Sequence, residues 1–326
     1  MYFDTIYTNG VIAVKEKSLL KDKILRLCEM RIDEAFRMLL DSGFGGGATD
    51  NVYEYEQLLQ AETTALDSFI RAYSPSSTEQ AYFLLPQDFH NAKALFKARI
   101  LGESADKMLV EPGLFEIDVL KNCIDGKNYD GLMGVPALAD TCKACEESLE
   151  TGVSGVDVGS IFQRGLYEAL FTIVKRKRAL RTLLGVKIDM TNILTALRSG
   201  DEDTASKQYL LGGSLSKRQL EVLFQEDVER VQKAFNDTPF KGFIQLCMKA
   251  KEKGLPYVEA EKYRDGYDLS ALEKRKFDLV KNEPFLYYVY RRKAEIANVR
   301  IVLACKLAGL DEVQIKNRLR KNRLRK

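Results

Sequence analysis

The chain has 326 residues, 45% hydrophobic and 30% charged, a balance that suits a globular protein with a substantial core. A single histidine, His90, excludes multi-histidine zinc sites, di-iron pairs and HExxH proteases, and no G-x-x-x-x-G-K-S/T run offers a nucleotide cradle. The net charge of +3 is unevenly spread: residues 316–326 carry seven cations and no acid, which leaves 43 basic against 47 acidic residues, a body at −4. No run of 18 apolar residues is present, and Met1-Tyr2-Phe3-Asp4 opens without a basic and apolar leader pattern. Neither a membrane span nor a secretory signal is expected. The six cysteines, Cys28, Cys123, Cys142, Cys145, Cys247 and Cys305, are irregularly spaced and read as free thiols of a reducing cytoplasm.

With only 7 prolines and 22 glycines, the pattern is helical from end to end. The run around Tyr7 and Val11–Val14 is the only stretch with strand-like character, and it is not assigned a strand. From Lys15 to Leu40, apolar residues at three- and four-residue spacing (Leu20, Ile24, Leu27, Ile32, Phe36, Leu39) predict one helix of about seven turns. Gly43–Gly47 read as a flexible loop. Asp50 or Asn51 caps a second helix through Leu58, Leu59, Leu66 and Ile70, broken at Ser74-Pro75. A helix over Ala137–Glu150 carries Cys142 and Cys145, read as structural because a zinc site needs two further ligands. A third long helix is predicted from Asp157 to Leu184. The cations Lys175, Arg176, Lys177, Arg178 and Arg181 fall late in it, where the macrodipole of a helix C-terminus favours them. A last long helix begins at Glu283-Pro284 and runs to Leu307, closed by Gly309.

One pattern recurs. Asp88 and Asn91, Asp189 and Asn192, and Glu295 and Asn298 each form acid-x-x-Asn, with apolar residues four, seven and eight positions after the acid, on one helical face. Apolar pairs precede each acid by five and six residues. A glycine and a further helical segment follow, read as Gly113, Gly213 and Gly309. Three units result: 1–124, 125–225 with the least distinctive sequence, and 226–326 with the basic tail. The asparagines are expected to hydrogen-bond between packed helices, with each acid at a solvated edge. His90 reads as a surface or packing histidine, and no residue is assigned a catalytic, cofactor or metal role. The tail, including Lys316, Arg318, Arg320, Lys321 and Arg323, reads as a frayed end.

The run Tyr7-Thr-Asn-Gly-Val-Ile-Ala-Val-Lys-Glu-Lys-Ser-Leu-Leu20 resembles the opening of the C subunit of V/A-type ATP synthases. So does Arg291-Arg-Lys-Ala-Glu-Ile-Ala-Asn-Val-Arg300-Ile-Val-Leu-Ala-Cys-Lys306-Leu-Ala-Gly-Leu310 resemble a later part of it, with its acid-x-x-Asn-x-Arg core and Lys-x-x-Gly-Leu. The eukaryotic relative of that family is the d subunit of the vacuolar ATPase. Departures are Asn9-Gly10, where Ala-Arg is common, the glycine-rich loop and the basic tail. The resemblance implies an all-α fold of three similar helical sub-bundles around a pseudo-threefold axis, forming a funnel. It implies a non-catalytic, cofactor-free rotor subunit at the cytoplasmic face of a membrane. Its partners would be the central-shaft subunits and the membrane ring that carries protons or sodium ions. Lys175, Arg176, Lys177, Arg178, Arg318, Arg320, Lys321 and Arg323 are the candidate protein-interface residues. The competing readings are a nucleic-acid-binding protein using the tail, which the body at −4 disfavours, and a redox or metal protein using Cys142 and Cys145.

Overall fold

The computed structural model describes residues 4–20, 23–150, 155–225, 227–278 and 280–320, and every regular element among them is helical. In chain order these are α1 (Thr5–Lys15), α2 (Lys23–Glu29), α3 (Ile32–Asp41), α4 (Tyr55–Tyr73), α5 (Ser77–Leu101), α6 (Ile117–Asp125), α7 (Pro136–Glu150) and α8 (Gly155–Ile173). There follow α9 (Arg178–Ser199), α10 (Glu202–Ser206), α11 (Lys217–Glu221), α12 (Val228–Ala234), α13 (Lys241–Glu252), α14 (Val258–Leu272), α15 (Glu283–Leu307) and α16 (Glu312–Arg318). The chain forms two compact units. One comprises the residues up to Gln80 together with those from Glu261 onward, and the other runs from Ala81 to Ala260.

In the first unit α15 is the axis, with α4, α1, α2 and α16 against it. Pro284 stands in its first turn, and Gly309 at φ +75° ends it. The Leu310 N–H reaches the Cys305 carbonyl and the Gly309 N–H that of Lys306, which satisfies the last carbonyls of the helix. Phe69 of α4 packs on Phe285 and Tyr288, with ring centroids 5.9 and 4.9 Å away. The strand-like N-terminal run is helical, with Thr8, Asn9 and Ile12 on its buried face. Thr8 Oγ1 donates to the Tyr73 carbonyl at 3.1 Å and Asn9 Nδ2 to that of Lys281 at 3.0 Å.

The single helix predicted from Lys15 to Leu40 does not form; α2 and α3 are separate. Lys306 Nζ donates to the carbonyls of Cys28 (2.9 Å) and Met30, so α2 ends on a cation from α15. Arg31 turns extended at ψ 158° and Glu34 reaches back to its N–H, which starts α3. The glycines at 43–47 are a packed turn, not a flexible loop. Gly45 is buried, donates its N–H to Glu62 at 2.7 Å, and has φ +77° with Leu58 against its Cα. Asn51 caps the short turn that leads into α4, accepting from the Tyr53 N–H.

The second unit is built on α8, which lies against α7 and α9. Phe162 of α8 meets Phe89 and Phe96 of α5, at 6.4 and 5.5 Å between centroids. The long helix predicted from Asp157 to Leu184 is broken: α8 stops at Ile173 and α9 starts at Arg178, with Lys177 extended between them (φ −111°, ψ 90°). Continuing the helix would stack Lys175 on Arg178 and Lys177 on Arg181, like charges at three- and four-residue spacing. All six cysteines are free and buried. Burial pushes the Cys142 thiol far up and that of Cys145 up to about 11, so both stay protonated and unreactive at neutral pH.

Glu146 of α7 is the polar hub of this unit. It pairs with Arg99 and with Lys127 at 2.6 Å, and the Tyr129 hydroxyl donates to it at 3.2 Å. Burial works against its charge, but the hydrogen bonds from Lys127 and Arg99 outweigh it and hold the carboxyl below the usual range. The folded state therefore binds this proton less readily than the unfolded chain, so the stabilisation is present at neutral pH and lost in acid. Glu146→Gln should lower unfolding stability at pH 7 by about 1–3 kcal/mol. In urea titrations the gap to the parent chain should narrow as pH falls below ~4; a gap independent of pH would refute the charge assignment.

Candidate functional site

The three acid-x-x-Asn pairs occupy the central helices α5, α9 and α15, which begin 11 or 12 residues before the acid. In each, the asparagine holds a returning segment of chain by a two-way bracket. Asn91 Oδ1 accepts from the Val110 N–H at 2.8 Å while its Nδ2 donates to the Val110 carbonyl at 3.1 Å. Asn192 does the same to Leu210, at 2.8 and 2.9 Å, and Asn298 to Arg320, at 2.8 and 3.2 Å. The side-chain amide replaces the partner that a backbone segment outside any helix would lack.

The acids are buried, not at a solvated edge: Asp88, Asp189 and Glu295 are each 1% exposed or less. Burial is tolerated because the carboxylates are hydrogen-bonded. Asp88 accepts from the N–H groups of Leu114 and Phe115, at 2.7 and 3.1 Å. Asp189 accepts from the N–H groups of Ser214 and Leu215, and from the Ser214 hydroxyl at 2.8 Å. Gly113 and Gly213 lie where a Cβ would come within 3.0 Å of these carboxylates, so glycine is needed for close approach. Gly309 is not their counterpart. It matches Gly102 and Gly200, the other positive-φ glycines that end central helices.

Glu295 is bound differently. Arg292 Nη1 donates to it at 2.9 Å and pairs with Glu62 through Nη2, and Glu62 in turn takes the Gly45 N–H. Sequence spacing does not reveal this buried network. Its signal is Glu62 itself, a charge standing between Leu58 and Leu66 on the buried stripe of α4.

The candidate interface residues fall in two places. Lys175, Arg176, Lys177 and Arg178 form the turn that follows the end of α8 and leads into α9, not the interior of one long helix. Lys175, Arg176 and Arg178, but not Lys177, border a cavity of ≈ 580 Å³ that also takes in Arg181, Phe171 and the Gly212–Ser214 segment. Arg318 and Arg320 are exposed, but the chain that carries them is docked. Besides the Asn298 bracket, Lys262 Nζ donates to the Asn317 carbonyl, and Lys316 pairs with Glu29 and Glu312 at 2.8 and 2.6 Å. The frayed tail is thus corrected as far as Arg320; Lys321 and Arg323 lie outside the described residues. His90 Nε2 lies 3.0 Å from the Met108 carbonyl. Among the described residues no helix is long and apolar enough to cross a membrane, and no group of three His, Cys, Asp or Glu could hold a metal ion.

Residues 8–318 match the family described as ATP synthase (C/AC39) subunit, and the chain belongs to that family. It is 22% identical to the C subunit of the V-type ATP synthase of Thermus thermophilus, over 96% of this chain and 97% of the relative. It is 24% identical to the C subunit of the V-type sodium ATPase of Enterococcus hirae over 82% of each chain. It is 22% identical to the C subunit of the A-type ATP synthase of Methanococcoides burtonii, over 96% of this chain and 92% of the relative. The chain is a non-catalytic central-stalk rotor subunit of a V/A-type ATPase.

The brackets are testable apart from any partner. Asn192→Leu leaves the Leu210 N–H and carbonyl unpaired and should cost about 2–4 kcal/mol in urea unfolding. Gly213→Ala should cost about 1–3 kcal/mol by overpacking. Losses below about 0.5 kcal/mol in both, within the range of ordinary surface substitutions, would show the brackets to be ornamental.

Proposed function

We propose that this subunit stands between the central shaft and the ion-carrying membrane ring at the cytoplasmic face, and passes rotation from one to the other. What supports the placement is the family match, which runs through nearly the whole chain, together with a helical unit repeated inside it. The repeats are read as 1–124, 125–225 and 226–326, three sub-bundles about a pseudo-threefold axis that form a funnel for the shaft. A rotor coupler needs a body that does not deform under load. Close-packed helices whose connecting segments are bracketed by buried side chains supply one.

Three repeats cannot match a ring of many identical subunits one to one, so the ring-facing surface is expected to be polar and broad, without one deep hot spot. Lys175, Arg176, Lys177, Arg178, Arg318, Arg320, Lys321 and Arg323 are the proposed contact residues of this subunit with its partners. Cations on such a surface set register and association rate, and each contributes modestly.

A tagged full-length chain purified in mild detergent from its own cells should bring down catalytic, shaft and ring subunits with ATP hydrolysis activity. Replacing Arg318, Arg320, Lys321 and Arg323 by alanine should weaken retention of the ring roughly tenfold, as four exposed pairs of some tenths of a kcal/mol each would. Recovery of the chain alone, under conditions that keep the ATPase intact, would overturn the placement.

A further inference from the structure

The cavity at the α8–α9 turn has an unbalanced lining. From Ala169 to Ile188 there are six cations and no acid. Arg176, Arg178 and Arg181 border the cavity with Lys175, and all four are exposed. Some surface cations find acids, as Arg300 does with Glu56 and Lys316 with Glu29. Lys175, Arg176 and Arg178 have no such ion pair among the described residues. The one acid in the lining is Asp189, whose oxygens are taken by the N–H groups of Ser214 and Leu215 and by the Ser214 hydroxyl.

The backbone adds to the imbalance. The first turns of α5 and α15 carry Glu79 and Glu283, acids that suit the positive end of a helix. The first turn of α9 has no acid and carries Arg178, and Lys177 before it makes no side-chain cap. The unpaired cations give this concave space one sign of side-chain charge, which an anion placed there relieves.

The shape selects among anions. Guanidinium groups are planar forks that match carboxylates and phosphates alike two bonds at a time, so the apolar lining makes the choice between them. Phe171 lines the same space, with the Arg181 guanidinium 5.6 Å from its ring centroid, and Leu211, next in sequence to the lining residue Gly212, is 80% exposed. A flat anionic membrane is met best by a spread basic face, and a lone phosphate makes no use of an aromatic wall or an exposed leucine. A protruding peptide with carboxylates and an apolar side chain uses all of them.

We propose that this cavity receives an acidic segment of a neighbouring ATPase subunit, carboxylates against Arg176, Arg178 and Arg181 and an apolar side chain against Phe171. The proposal rests on the subunit reading above and gives one of its interfaces a chemistry.

The test places a photo-crosslinking amino acid at Thr182, on the exposed lining, in the full chain within the intact complex. The adduct should map to a subunit segment with two or more Asp or Glu in about six residues, a spacing that sets adjacent carboxylates against adjacent forks. Arg176→Glu with Arg178→Glu should lower its yield roughly tenfold, and lysine at the partner's acids should restore it. Circular dichroism of the double variant, unchanged, separates this from misfolding. A phospholipid adduct, a segment without acids, no adduct to any subunit, or a yield unmoved by charge reversal would each overturn the proposal while the complex still assembles. Failure to recover the complex with the parent chain would instead remove the subunit reading, and this proposal with it.

Discussion

An asparagine side chain presents a donor and an acceptor side by side, which is what an isolated stretch of backbone needs. Three helices of this protein use that property at corresponding places. Asn91, Asn192 and Asn298 each hold both polar groups of one residue in the chain returning past the helix. In α5 and α9 the acid one turn earlier takes the next free N–H groups. Of the three bracketed residues Leu210 is buried, and leaving its N–H and carbonyl unpaired would cost about 2–4 kcal/mol. Each central helix is thereby tied to the segment that returns past it.

The remaining buried charges serve the same end by other means. In the unit built on α15, Glu62, Arg292 and Glu295 link α4 to α15 and hold the Gly45 turn. In the other, Glu146 joins Arg99, Lys127 and Tyr129. Breaking one partner of the Glu62–Arg292–Glu295 network strands the others away from solvent, so it resists small distortions. A rotor subunit that performs no chemistry needs this stiffness.

What is legible in the sequence follows from the range of the interactions involved. The acid-x-x-Asn pairs stand out because three residues is a turn of helix, and Pro284 and Gly309 mark the ends of α15 because caps are local. The family is legible in Tyr7–Leu20 and Arg291–Leu310. The break between α2 and α3 is not, since it depends on Lys306, 278 residues from Cys28 in sequence. Gly113 and Gly213 are visible as glycines, but the carboxylates that require them are about 25 residues away, and order alone pairs Gly309 with them. The break at Lys175–Lys177 is hidden because apolar periodicity continues through it while like charges and the turn do not. The interface positions are the least legible, since exposure and charge mark a surface without naming what meets it.

The most direct test of a rotor position is to lock the chain to its neighbours and watch the motor turn. A covalent crosslink from this protein to the ion-carrying ring should leave ATP-driven rotation and ion transport intact, because the two move together. A crosslink from the same protein to a stator component should stop both. Arrest by the link to the ring, with rotation preserved by the link to the stator, would contradict the assignment of this chain to the rotor.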